Sequence, residues 1–453
     1  MNSYKLSLSD LKSLSLSSIT ETESGKFLSE LEFKDAILKR QNELKHKCHL
    51  KAGDSVIIQK ANSINFFVDF FALLLMDVLI IPLDPSIDQR ELSIIKKDTT
   101  PRAILKEGQD ELVEGDHFNS FLTYALLLFT SGSTSRPKGV LISKKALENK
   151  LIVLSEKISI SDIENTLCFV PTFFGHGLIC NSLFPILFGK SFFIGKKMSI
   201  EFAEVFSNIL EKHQINFFSS VPSHWEMILS FSKKYDGKFL RRINCASAPL
   251  KKEKIERILD WANSTPVYDT YGATEMLGWF AAELVTRNRV NSVFTNFWDV
   301  SRRMGNDGEL ILYSSYMCTG YFENGNSTLI KEFSTGDIFN SEMQLIGRSK
   351  GVINKNGIKI ISEDLDDELM ESKMLIFCKT FPIEDRFSGE KIGVFFQLTN
   401  GIDVDMFKKY CIENIPSVRC PAEFILIDKI PLNNRGKLDY TALLKRYANE
   451  YRK

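Results

Sequence analysis

The stretch Leu126–Ser143, "LLLFTSGSTSRPKGVLIS", sets a run of hydroxyls and glycines between two apolar segments of strand length. Ser131, Ser133, Thr134 and Ser135 offer hydroxyl donors, Gly132 and Gly139 allow close backbone approach, and Lys138 supplies a cation. A loop of this kind can hold a polyphosphate through backbone N–H groups and hydroxyls. It is not a Walker A loop, because G-x-x-x-x-G-K-[ST] cannot be laid on these residues.

Working outward, apolar strand-length runs alternate with helix-length segments. "SVIIQK" at 55–60 precedes a helical 63–76 and then "VLIIPLD" at 78–84; "SFFIG" at 191–195 precedes "SIEFAEVFSNILEKHQ" and then "INFFSSVP" at 215–222. Strands buried on both faces, alternating with helices, predict an α/β fold with parallel sheets. The run Phe66–Asp84, "FFVDFFALLLMDVLIIPLD", carries Asp69 and Asp77 and reads as a buried helix and a core strand rather than a membrane span.

A chain of 453 residues exceeds one ordinary core. After a strand-rich region with hairpin punctuation, the character changes near Leu345–Leu369. There a helix start at "SEDLDDELM", a strand at "EKIGVFFQL", a helix at "DVDMFKKYCIEN" and a last strand "EFILID" follow one another. We therefore expect a large body over 1–348, with parallel α/β sheets and a β-rich subdomain, and a small α+β domain over 349–453.

Lysine plus arginine and aspartate plus glutamate number 57 each, so no global basic field draws this chain to nucleic acid or anionic lipid, and a small-molecule substrate is expected. The eight cysteines are scattered with no C-x-x-C pair, reading as reduced thiols in a cytoplasmic protein. The N-terminal "MNSYKLSLSDLKSLSLSSIT" has no continuous apolar run, so no secretory leader is expected.

The opening stretch resembles the phosphate-binding signature of the adenylate-forming enzymes: acyl- and aryl-CoA synthetases, nonribosomal peptide synthetase adenylation domains and luciferases. Further segments resemble that family's motifs in family order: "CASAPL" at Cys245–Leu250, "YGATE" at Tyr271–Glu275, "GELILYSSYMCTGY" at Gly308–Tyr321, "STGD" at Ser334–Asp337, "GRSKGVINKNG" at Gly347–Gly357 and "NNRGKLDY" at Asn433–Tyr440. The resemblance implies that Thr130, Ser131, Gly132, Ser133, Thr134 and Lys138 cradle the phosphates of ATP. It adds Ser247, Ala248, Pro249, Tyr271 and Gly272 around the nucleotide, with Tyr271 stacked on adenine. Asp337 would accept the ribose hydroxyls with Arg348 nearby, and Glu275, beside Thr274, would hold Mg²⁺.

Charge builds on phosphate oxygens when a carboxylate attacks the α-phosphorus, so cations and oriented donors matter more than covalent groups. The resemblance gives Lys437 the bridge between carboxylate and α-phosphate, Lys350 the hinge, and Gly357 the tunnel for a pantetheine arm. Aspartate is common at the hinge, and lysine occurs there in some aryl-CoA ligases. Ser135 stands where the family often has glycine and Asn354 where it usually has lysine, the latter bearing on thioester formation.

Amino-acid-activating members carry an aspartate in the segment matching Pro171–Gly195, "PTFFGHGLICNSLFPILFGKSFFIG", which contains no acidic residue here. A buried ammonium would lack its counter-ion, so an α-amino acid is disfavoured. The pattern resembles benzoate and hydroxybenzoate ligases, making Phe173, Phe174, His176, Ser219, Ser220 and Ser247 the candidate acid pocket. The chain reaches its phosphate loop earlier than family members do, as stand-alone ligases loading an acyl carrier protein also do. The expected acceptor is therefore CoA or a carrier protein's phosphopantetheine, and the expected acid is 4-hydroxybenzoate-like or cinnamate-like. A fatty-acid ligase and a nucleotide-binding scaffold without turnover are the alternative readings.

Overall fold

The computed structural model describes the chain apart from residues 1–5, 88, 116–120, 131–137, 248–249, 251, 289–292, 306–307, 349–350, 356–357, 386–388, 418, 433–437 and 451–453. It gives backbone alone at 130, 346–348, 352, 354–355, 358–359, 384, 389, 441 and 449–450. Packing groups the chain into two compact units, Met1–Arg302 with Leu312–Phe333, and Arg303–Ile311 with Ser334–Lys453. The sequence reading set its division at 348/349; the hinge residue Lys350 lies outside the described residues.

The first unit holds two eight-stranded sheets. In one, Ser18–Glu21, Ser191–Ile194, Asn165–Cys168, Phe217–Ser220, Arg242–Ala246 and Val267–Ala273 run parallel, closed by antiparallel Phe27–Leu28 and Gly278–Leu284 at the edges. In the other, Tyr124–Thr130, Leu79–Pro82, Ser55–Gln59 and Ala103–Lys106 are parallel, flanked by antiparallel Gln109–Leu112, Lys138–Ser143, Gly320–Glu323 and Asn326–Leu329. The expected parallel α/β centre is present, and antiparallel strands are added at both edges of each sheet.

The run that tempts a membrane reading is the helix Ile64–Leu74 followed by the strand Leu79–Pro82, both buried. Asp69 is tolerated inside it because two cations converge on its carboxylate, Arg40 Nε and Lys60 Nζ each at 2.6 Å. Arg40 also grips Asp110 with both terminal nitrogens. A buried carboxylate needs such pairing, since an unpaired charge in this position would be strongly destabilising. Among the described residues no helix is long and apolar enough to cross a membrane.

In the second unit Leu375–Asp385 and Gly389–Leu398 form a long antiparallel pair, extended by Val352–Lys355, Ile358–Ile361 and parallel Glu423–Leu426. The helices Ser362–Met370 and Val404–Asn414 supply Leu365, Leu369, Phe407 and Cys411 to its apolar core. Both helices fall where the sequence pattern places them. A four-stranded sheet, Ser301–Met304, Glu309–Tyr313, Phe333–Phe339 and Leu345–Arg348, its last two strands antiparallel, has most of its residues in this unit.

One segment departs from ordinary helix geometry. His176–Leu183 is π-helical and passes into the α-helix Phe184–Phe188, with Phe184 N donating five residues back to Ile179 O. Such turns are rare and recur at functional sites. Gly177 is required there, because a Cβ on it would lie 2.0 Å from Pro171 O. Gly177→Ala is expected to cost about 2–3 kcal/mol, read as a lower urea midpoint at unchanged slope; an unchanged midpoint would show that the turn has room.

Lys150, on the helix Lys144–Lys157, is wholly buried; its ammonium donates to Trp279 O and lies 4.1 Å from the Tyr316 ring centre. Burial pulls its pKa down to about 8, while that of neighbouring Cys180 is pushed by burial up to about 11. Between about pH 8 and the free-lysine value of about 10.4 the unfolded chain binds more protons, so stability rises with pH across that window. Relative to Lys150→Met, the unsubstituted protein should gain on the order of 2–3 kcal/mol from pH 7.5 to 10.5. Parallel urea-midpoint profiles for the two proteins would refute the buried-charge account.

Candidate functional site

The phosphate-loop motif sits between two antiparallel strands. Tyr124–Thr130 and Lys138–Ser143 pair along their length, with Thr130 opposite Lys138 at the loop end. The loop therefore leads from strand to strand and does not run straight into a helix N-terminus. Its central residues Ser131, Gly132, Ser133 and Thr134 lie outside the described residues. Gly139 is needed at its base, since a Cβ would approach Leu127 Cδ1 to 2.6 Å and Phe322 O to 3.2 Å.

Lys138 is gathered with Glu275 by a residue that sequence reasoning did not single out, Tyr321. The strand Gly320–Glu323 lies against Lys138–Ser143, with Tyr321 opposite Val140. The Lys138 ammonium stands 3.4 Å from the centre of the Tyr321 ring, and the Tyr321 hydroxyl donates to Glu275 Oε1 at 3.3 Å. Burial, reinforced by the Glu275 charge, pushes the Tyr321 phenol well above its ordinary pKa, so it stays a donor at neutral pH. The only sequence signal for Tyr321 is that it ends the family-like segment Gly308–Tyr321.

Thr274 and Glu275 occupy the short 3₁₀ turn Thr274–Met276 that follows the strand Val267–Ala273. Cys318 N donates to Glu275 O at 2.7 Å, which fixes the turn's height. A single carboxylate here suits Mg²⁺, which keeps several waters and takes most other ligands from substrate phosphates. Among the described residues no group of three His, Cys, Asp or Glu side chains forms a metal cage. That donor set fits a metal arriving with a nucleotide.

The same sheet edge holds the other nucleotide candidates. Ser247 follows the strand Arg242–Ala246 with φ at 75°, an unusual value for a residue bearing a Cβ. Such strain is maintained only where the surrounding structure imposes it, and it clusters at functional sites. Ala248 and Pro249 lie outside the described residues. Tyr271 is largely buried, its ring stacked on Phe294 at 5.1 Å and edge-on to Phe280 at 4.6 Å, so those rings already engage the side chain expected to stack on adenine. Gly272 sits beside it at a register shift.

In the second unit, Asp337 lies directly opposite Arg348 in the antiparallel pair Phe333–Phe339 and Leu345–Arg348. Its strand position is locked by Thr335, whose hydroxyl donates to Leu310 O at 2.8 Å and accepts from Asp337 N at 3.1 Å. Gly357 and Lys437 lie outside the described residues.

Around the π-helical turn, His176 Nε2 and Ser219 Oγ are 2.8 Å apart, and the Phe173 and Phe174 rings are in contact at 4.5 Å. Side chains alternate along a strand, which separates the two serines expected to share the pocket. Ser219 faces His176, whereas the Ser220 hydroxyl donates to Asn244 O. Asn62 clamps the approach to this region: its Oδ1 accepts from Thr172 N at 3.0 Å and Thr172 Oγ1 at 2.9 Å, and its Nδ2 donates to Val170 O at 2.8 Å. Nothing in the sequence near Asn62 announces that role.

Residues 122–322 match the protein family described as AMP-binding enzyme. Over 366 residues the chain is 25% identical to a dimodular nonribosomal peptide synthase of Bacillus subtilis (strain 168), covering 74% of this chain but 15% of that protein. It is 22% identical over 481 residues to the oxalate–CoA ligase of Arabidopsis thaliana, covering 92% of this chain and 93% of that one. The structure superimposes on o-succinylbenzoate CoA synthetase from Bacillus subtilis in complex with its acyl-adenylate intermediate. The TM-score is 0.79 at 17% identity, covering 94% of this chain and 95% of that one. That synthetase is also known in complex with ATP and magnesium ion. Residues 122–322 of this chain thus resemble an AMP-binding enzyme domain, and the chain shares the fold of that CoA synthetase.

Proposed function

We propose that this protein is an AMP-forming acid–thiol ligase. A carboxylate oxygen of the substrate attacks the α-phosphorus of ATP, the bond from that phosphorus to the bridging oxygen breaks, and pyrophosphate leaves with the electron pair. The thiol of CoA or of a carrier protein's phosphopantetheine then attacks the acyl carbon, AMP departs, and the thiol proton passes to solvent. The observation that carries this reading is the Lys138–Tyr321–Glu275 constellation at the end of the phosphate-loop hairpin.

In this reading the Lys138 ammonium, held on the Tyr321 ring, attracts the phosphates. Tyr321 also fixes the orientation of the Glu275 carboxylate, which holds Mg²⁺. The metal, when bound, neutralises phosphate charge. Asp337 and Arg348 take the ribose, and Lys437 bridges the substrate carboxylate and the α-phosphate. Lys350 serves as the pivot about which the C-terminal part turns between the two half-reactions, and Gly357 then lines the way for the pantetheine arm. Preorganised cations are what such a transition state requires.

An aromatic acid suits the ring-rich segment Phe173, Phe174 and His176, with Trp279 at 5.5 Å from the imidazole. No carboxylate stands in that segment to meet an α-ammonium group.

Acid-dependent exchange of pyrophosphate into ATP, run across benzoates, cinnamates, fatty acids and amino acids, tests the adenylation step without the thiol. A signal with an aromatic acid is expected, falling roughly 100-fold or more in Lys437→Ala; full exchange in that variant would remove Lys437 from the chemistry. Tyr321→Phe keeps the ring under Lys138 but deletes the bond to Glu275. It should raise the KM for magnesium–ATP about fivefold and leave the KM for the acid unchanged, an equal rise in both counting against the assignment.

A further inference from the structure

Glu275 sits at the tip of a tight hairpin. The strands Val267–Ala273 and Gly278–Leu284 pair antiparallel with Ala273 opposite Gly278, so residues 274–277 make the whole connection. Leu277 N donates back to Thr274 O at 3.0 Å. Closing so short a connection places two successive residues in the left-handed region, Leu277 at φ 55° and Gly278 at φ 94°. Leucine enters that region at a cost, because its Cβ crowds the following carbonyl oxygen. Such a conformation lasts only where the surrounding structure imposes it.

Two buried side chains from outside the hairpin hold it there. Cys180, in the π-helical turn, donates to Leu277 O at 3.7 Å and accepts from Trp279 N at 3.4 Å. Its thiol keeps the proton for the first of these bonds, since burial pushes its pKa up to about 11. Lys150 donates to Trp279 O, so both backbone polar groups of Trp279 are taken by side chains. The contact leaves no slack, because a Cβ on Gly278 would collide with Cys180 Sγ. Cys318 N holds the carbonyl of Glu275 itself.

The strand Gly278–Leu284 ends its sheet, and backbone groups at such an edge need partners in any buried setting. Covering the edge accounts for bonds to Trp279. It does not account for the bond to Leu277 O, which lies in the connection, before the strand begins.

We propose that Cys180 and Lys150 are positioning residues for Glu275: by holding the left-handed turn that follows it, they keep the carboxylate in the one place from which it can take a magnesium ion. This rests on the reading above that Glu275 holds the metal of magnesium–ATP. Magnesium demands near-ideal octahedral geometry at short distances, so a carboxylate on a loosened turn loses affinity for it. Both residues act through Glu275 and leave the nucleotide itself untouched.

The test is calorimetric titration of the full chain with ATP, in saturating magnesium and again in a chelator. Cys180→Ala deletes both sulfur bonds and Lys150→Met the bond to Trp279 O. Each should weaken magnesium–ATP binding about fivefold or more and leave metal-free ATP binding unchanged. Cys180→Ser, able to give and take the same two bonds, should recover most of the loss. Cys168→Ala is the control: it removes a thiol as deeply buried, but one bonded to Val170 O and the Ser182 hydroxyl, and should leave the magnesium dependence intact. Weakening that is equal with and without metal, or an equal magnesium defect in Cys168→Ala, is what a merely structural thiol would give, and either result overturns the proposal. So does an unchanged magnesium dependence in both Cys180→Ala and Lys150→Met. Should magnesium make no difference to ATP binding by the unsubstituted protein, the metal reading of Glu275 fails by itself. Amide hydrogen exchange over residues 274–279 then decides the brace: exchange about fivefold faster or more in Cys180→Ala but not in Cys168→Ala supports it, and equal rates overturn it.

Discussion

Two consecutive backbone N–H groups tie the first unit together at the point where its chemistry is concentrated. Cys318 N donates to Glu275 O, at the turn ending one sheet, and Thr319 N donates to Leu141 O, in the hairpin of the other sheet. The strand that follows then continues the second sheet and carries Tyr321 to the Glu275 carboxylate and the Lys138 ammonium. Each bond is worth little in isolation, since folding only exchanges it for bonds to water. Their value lies in placement, because a shift of either sheet would separate the cation from the carboxylate.

The same unit accommodates charge and polarity in three different ways. Asp69 is neutralised by Arg40 and Lys60 within a helix that is otherwise apolar. Lys150 finds a carbonyl and an aromatic face, and burial lowers its pKa in response. The polar face beneath the π-helical turn has neither charge pairing nor a full set of partners. Of the three, only the last leaves polar atoms without a hydrogen-bond partner among the described residues.

Much of the fold was legible in the sequence because strand and helix patterns are local. The apolar runs at 55–60, 78–84, 191–195 and 215–222 all contain strands, and the segments between them contain helices. Asp69 and Asp77 were enough to separate a buried helix from a membrane span, since charge in lipid is too costly. The antiparallel edges were less visible, because the partner of Lys138–Ser143, namely Gly320–Glu323, lies far along the chain. For the candidate site, the resemblance to family motifs pointed to Lys138, Glu275 and Asp337, whereas Tyr321 and Asn62 make their contacts between distant segments and leave no local pattern. Ser219 and Ser220 looked equivalent in sequence, and the pleat of the strand divides them.

By itself the sequence determined the alternation of strands and helices, the order of the motifs and the residue types available for phosphate chemistry, all of which follow from neighbours along the chain. Only the tertiary structure decided which of those residues meet: that Tyr321 joins Lys138 to Glu275, that Asp337 pairs in register with Arg348, and that His176 meets Ser219. The physical reason is that such meetings are set by strand register and sheet order. Both depend on pairings between segments that can be more than a hundred residues apart.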